Sequence, residues 1–69
     1  MIERGIYKHF KGNTYGVLHV ATHTETGERL VIYRKLSDVG AYYEGEIWAR
    51  PESMFEELVD GVPRFEKVV

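Results

Sequence analysis

No cysteine occurs in the 69 residues of this chain. That excludes a disulfide framework and a zinc–thiolate centre, two staples on which many domains of this size depend. Proline is scarce, with only Pro51 and Pro63. No stretch approaches the ~20 consecutive apolar residues that cross a bilayer as a helix. The opening Met1-Ile2-Glu3-Arg4-Gly5 lacks the apolar run of a signal peptide. A soluble, cytoplasmic protein with no membrane partner is therefore expected. Missing too are a Gly-x-Ser-x-Gly elbow and a glycine-rich phosphate loop. No proton-transfer group can be singled out either, so an enzyme is not expected and no cofactor is implied.

What remains is enough for one domain, residues 1–69, and no more. A chain this short buries only about 60% of the surface its unfolded form exposes. Its core is small, and pairing into a homodimer is one way to complete it. The net charge of -2 conceals a split along the chain. Residues 1–36 carry Arg4, Lys8, Lys11, Arg29, Arg34 and Lys35 against three glutamates, a balance of +3. Residues 37–69 carry Arg50, Arg64 and Lys67 against eight acids, a balance of -5. Such a split allows a mildly basic face that attracts an anion, if folding keeps it together.

The clearest local unit is "YGVLHVATHTETGERLVIYRKL", two β-rich runs around Thr24-Glu25-Thr26-Gly27. Gly27 supplies the positive φ a hairpin turn needs. Residues 15–23 and 28–36 read as an antiparallel pair. If His23 faces Glu28, Ala21 faces Leu30, His19 faces Ile32 and Val17 faces Arg34. Leu18, Val20, Val31 and Tyr33 then share the other face, and both faces are apolar enough to be covered. A short strand precedes the pair, with a turn at residues 11–14. Residues 46–50 read as a fourth strand. Pro51 suits the first position of a helix, and Met54, Phe55 and Leu58 share its apolar face. Asp60-Gly61 is a tight turn, and Pro63 suits a strand edge or start. The expected fold is all-β: a small SH3-like barrel of about five short antiparallel strands, with one helical turn near residues 51–58.

Several stretches carry a resemblance. "GIYKHFKGNTYGVL", "ATHTETGERLVIYRKL", "IWARPESMF" and "VPRFE" resemble the small bacterial family catalogued as domain of unknown function 1653. The resemblance runs from Gly5 to about Val68 and implies an SH3-like barrel. It implies no activity. His19 stands where a small residue is usual in that pattern, and the loop from Ser37 to Glu46 is longer.

Candidate sites follow from residue type and spacing. His19 and His23 lie about 13 Å apart on a strand, too far to share one metal ion. A surface contact between His23 and Glu28 is the expected alternative, and no metal site is expected. The arginines are better placed. Trp48 and Arg50 emerge on one face of a strand. Arg34, Arg50 and Arg64, with Lys11, offer guanidinium and ammonium donors to an anion or a single-stranded nucleic acid. The competing reading has these arginines tying strand ends to Glu52, Glu56 or backbone carbonyls, with Trp48 in the core. Tyr42 and Tyr43 stand together in a loop among acids. With Trp48 they suit a protein or peptide partner. Around Tyr7, Lys8, His9 and Lys11 a nucleic-acid patch is the alternative, although a pI of 5.9 falls short of a strongly basic footprint. A non-enzymatic binding module, taking a protein or peptide, is the leading expectation.

Overall fold

The computed structural model describes residues 2–36 and 43–69, with 43 and 44 as backbone positions only. Seven strands and one helical turn follow in chain order. They are β1 (Gly5–His9), β2 (Thr14–Thr22), β3 (Arg29–Leu36), β4 (Tyr43–Pro51), α1 (Glu52–Phe55), β5 (Leu58–Val59), β6 (Val62–Pro63) and β7 (Phe65–Lys67). The all-β expectation holds. Five strands form one antiparallel sheet in the order β4-β3-β2-β1-β7, and β5 and β6 form a separate ribbon. Among the described residues β4 and β7 are the sheet's two edges. They approach each other through side chains: the Arg50 guanidinium lies 5.8 Å from the Phe65 ring centroid.

The β2–β3 hairpin has the expected register at its tip. His23 N–H donates to Glu28 O at 2.7 Å, and Ala21 pairs with Leu30 and His19 with Ile32. Below that point the register slips by one, so that Val17 pairs with Tyr33 and not with Arg34. The bulge falls at Leu18. Its physical reason is burial: an unbroken ladder would carry Val17 to the outer face, whereas the slip places it in the core. Leu18 consequently leaves the inner set that the alternation predicts. His23 does not pair with the Glu28 side chain. Its Nδ1 accepts the N–H groups of Glu25 (3.1 Å) and Thr26 (3.4 Å), closing the turn around Gly27.

Directly paired residues of an antiparallel sheet point to one face, so the ladders define an inner face. It carries Tyr7 and His9 from β1, Tyr15 and Val17 from β2, Val31 and Tyr33 from β3, Trp48 and Arg50 from β4, and Phe65 from β7. The turn α1 lays Phe55 on this face with no solvent exposure. Its ring stacks on Phe65 (centroids 4.0 Å, planes 3° apart) and meets Tyr7 and Tyr33 edge-on at 5.5 Å each. The outer face is not covered to the same degree, contrary to expectation. Leu30 and Ile32 are half-buried there, and Ile47 is exposed.

Pro51 ends β4 and sits one residue before α1, not at its first position. The helix stops at Phe55, so the expected apolar face is not formed. Met54 and Leu58 are both exposed, and Leu58 belongs to β5. Asp60 and Gly61 take φ of 52° and 81°, the positive values of a two-residue hairpin loop between β5 and β6. At the other end Gly5 (φ 150°) passes so close to the terminal residue that a Cβ would lie 2.5 Å from Val69 O. That approach lets Ile6 N–H donate to Val69 O at 3.0 Å.

Removing the central ring tests this packing. Phe55→Ala is expected to cost about 3–5 kcal/mol, a large part of the ~5–10 kcal/mol available to a domain of this size. A urea unfolding curve with an unchanged midpoint would show that Phe55 is not the core residue described.

Candidate ligand-binding face

Phe55 covers only part of the inner face. Beyond it, towards β4 and the β1–β2 turn, the aromatic rings continue without a cover among the described residues. Tyr15 packs edge-on against Phe65 (5.6 Å) and Tyr33 (5.7 Å), and Trp48 lies 5.8 Å from Tyr33 and 6.3 Å from Tyr15. Trp48 is 40% exposed, on a strand that is an edge of the sheet among the described residues. The tryptophan is therefore not core. An open depression of about 490 Å³ is lined here by Tyr15, Tyr33, Trp48, Arg50, Pro51 and Met54, with Ala49 at its margin.

The other end of the strip is built by the β1–β2 turn. His9 N–H donates to Asn13 O and Gly12 N–H to His9 O, each at 2.8 Å, and Phe10 N–H donates to Arg64 O at 2.9 Å. His9 Nδ1 accepts the Lys11 N–H at 3.1 Å. These bonds hold the His9 ring against Phe65 (4.9 Å), Tyr15 (6.3 Å) and Phe10 (4.5 Å, tilted by 33°). Phe10 is 42% exposed. Rings thus run from Phe10 through His9 and Tyr15 to Trp48.

Cations flank this row. Lys11 Nζ lies 5.8 Å and the Arg64 guanidinium 6.0 Å from the Phe10 centroid, and Arg50 stands over Phe65. Both are cation–π distances. Arg64 is anchored, since its Nε and Nη2 donate to Glu57 Oε1 at 3.1 and 2.7 Å. Among the described residues Lys11 and Arg50 have no carboxylate partner. The field shows in His9, whose pKa is held below the ordinary imidazole value. Partial burial is the largest cause, followed by the charges of Arg64, Lys11 and Arg50.

The structure therefore sorts the residues singled out from the sequence. Lys11, Trp48, Arg50 and Arg64 come together on the strip. Arg34 does not. It points to the outer face beside Gly16 and Ile47, and its Nη2 donates to Gly45 O at 2.6 Å across the irregular part of the β3–β4 ladder. The tie to a backbone carbonyl was the structural reading of the arginines, and for Arg34 it holds. Arg64 joins Glu57, whereas Glu52 lies 4.0 Å from Arg29. Tyr42 lies outside the described residues, and Tyr43 enters only as a backbone position of β4 paired with Leu36. Of the sequence-based patch around Tyr7, Lys8, His9 and Lys11, Tyr7 drops out, whereas Lys8 and His9 line a depression of about 240 Å³ with Phe10, Val62, Pro63 and Glu66. Tyr7 is buried, its hydroxyl donating to Glu3 O at 2.8 Å, and burial pushes its pKa up. Phe10, Tyr15 and Met54 were not singled out. The available signal for Tyr15 was its alternation with Val17, which the bulge hides from a reading based on an unbroken hairpin.

The His9 environment has a measurable consequence. His9 binds a proton less readily in the folded protein than in the unfolded chain. Below about pH 6.5 the unfolded chain then binds more protons, so this contribution is complete above that pH and is lost as pH falls towards the folded value. His9→Asn keeps a short acceptor for the Lys11 N–H but does not titrate. Between about pH 7.5 and 5.5 the melting temperature of the wild type is expected to fall more than that of His9→Asn. Parallel declines would refute the coupling.

Comparison with known proteins supplies the relationship. Residues 5–67 match the family described as "Protein of unknown function (DUF1653)". The fold is similar to the crystal structure of a protein belonging to DUF1653 from Bordetella bronchiseptica. The two share 32% sequence identity and a TM-score of 0.80 over 97% of this chain and 87% of that one. Among curated proteins none matches. No helix among the described residues is long and apolar enough to cross a membrane. With a family match along nearly its whole length and a solved relative of the same fold, the chain belongs to the DUF1653 family.

Proposed function

We propose that this protein is a non-enzymatic binding module of the cytoplasm, and that its site is the aromatic strip from Phe10 to Trp48, which the described residues leave uncovered and which takes an anionic ligand. The observation that carries this reading is the convergence of Lys11, Arg50 and Arg64 on one row of rings in a chain of net charge -2. Charge of one sign gathered beside low-dielectric ring surfaces focuses the field, so a local patch attracts anions whatever the net charge. The strip offers ring faces and fixed cations, the features of recognition. Its one imidazole already commits Nδ1 to the Lys11 N–H.

A protein or peptide partner is the second reading, favoured by the depression where Pro51 and Met54 border Trp48. An extended apolar segment fits such a groove. Tyr42 and Tyr43 belong to this reading.

One variant separates the two. Lys11→Gln combined with Arg50→Gln removes both cations without touching Phe55. On an immobilised heparin column the wild type is expected to be retained and to elute as salt shortens the Debye length from about 10 Å towards 3 Å. The double variant is expected to pass through at lower salt with an unchanged circular dichroism spectrum. Equal retention of the two proteins would remove the anion reading. Salt-insensitive quenching of Trp48 fluorescence by a proline-rich peptide would favour the second.

A further inference from the structure

The anionic ligand must account for the rings as well as the charges. Successive centroids along Phe10, His9, Tyr15 and Trp48 lie 4.5, 6.3 and 6.3 Å apart. The two terminal rings are the exposed ones. An acidic peptide would meet Lys11 and Arg50 but would leave Phe10 and Trp48 facing flexible chain or water. A duplex would present phosphates but keep its base faces stacked inside. A single strand presents both: phosphates for the cations, and unpaired planar bases for the rings.

We infer that the strip binds single-stranded nucleic acid, with bases stacking on Phe10 and Trp48 and phosphates meeting Lys11 and Arg50. This deepens the anion-binding reading and rests on it. Stacking is tolerant of sequence because every base has a π-face. The strip therefore binds strands with little base preference. Glu57 shapes the Phe10 end. By taking Arg64 Nε and Nη2 on one oxygen it holds the guanidinium carbon 6.0 Å from the Phe10 ring centroid and shares that arginine's charge between the carboxylate and the strip. Lys11 and Arg50 carry the remaining phosphate attraction.

The test uses the single tryptophan of the chain as its probe. The intact protein is titrated at low salt with three polyanions, reading Trp48 fluorescence and, independently, NMR amide shifts. The polyanions are a thymidine oligonucleotide of about twelve nucleotides, within the ~4–16 that small β-barrel folds cover, an abasic oligomer of equal length, and polyglutamate of equal charge. The oligonucleotide is expected to quench Trp48 and to bind at least about tenfold more tightly than the abasic strand, given the value of one base–aromatic stack. Phe10→Ala, at an exposed position, is expected to lose about tenfold for the oligonucleotide and nothing for the abasic strand. Equal binding of the abasic strand or of polyglutamate would overturn the nucleic-acid inference and leave the anion site standing. Failure of all three to bind would overturn both.

Discussion

The stacking of Phe55 on Phe65 is the contact on which the remaining structure depends. A five-stranded sheet with one short helical turn has little material to cover itself, and here a single residue does most of the covering. Phe55 reaches the inner face because Pro51 ends β4 and the chain turns back across the sheet through α1. Its ring then touches residues of β1, β3 and β7 at once. Those contacts help to hold the short edge strand β7, which also pairs with β1 and packs Phe65 against His9, Tyr15 and Tyr33. In a domain with a thin stability margin, such a ring decides whether the edges stay together.

The candidate site is what that ring leaves uncovered. Tyr15 and Trp48 continue the aromatic packing of the core outward, so the strip is core chemistry brought to the surface. Aromatic side chains tolerate this position because their edges and faces pack with neighbours while one side meets water. The charge pattern has a similar local origin. Glu57 binds Arg64 and Glu52 lies near Arg29, whereas Lys11 and Arg50 stand beside the rings with no carboxylate partner among the described residues. The lowered pKa of His9 reflects its partial burial first and the charges of Arg64, Lys11 and Arg50 after it. One cluster thus couples the stability of the β1–β2 turn to pH and the attraction of the strip to anions.

Much of the fold was legible in the chain. Alternating β-branched and aromatic residues announced the hairpin, Thr24 to Gly27 announced its turn, and Asp60-Gly61 announced the next one. Those signals are local, since they depend on backbone preferences of a few neighbouring residues. The bulge at Leu18 was not legible. It depends on which of Val17 and Leu18 gains more by facing a core whose other walls come from β1, β3 and α1. The short helix was misread for the same reason: Met54 and Leu58 fit a helical stripe, but the turn ends once Phe55 is seated.

Composition and pattern alone determined that this chain is all-β and without a disulfide framework, and they placed Lys11, Arg34, Trp48, Arg50 and Arg64 among the residues worth following. Only the tertiary structure separated them. Arg34 turned to the outer face, Trp48 and Arg50 joined His9 and Tyr15 on the inner one, and Lys11 and Arg64 gathered at Phe10, at the end of the sheet beside His9. The physical reason is parity. A strand sends successive side chains to opposite faces, so Arg34 parts from Tyr33, and the one-residue slip at Leu18 brings Tyr15 to the face that carries Trp48 and Arg50. That slip is set by packing across the sheet, which no stretch of the chain contains by itself.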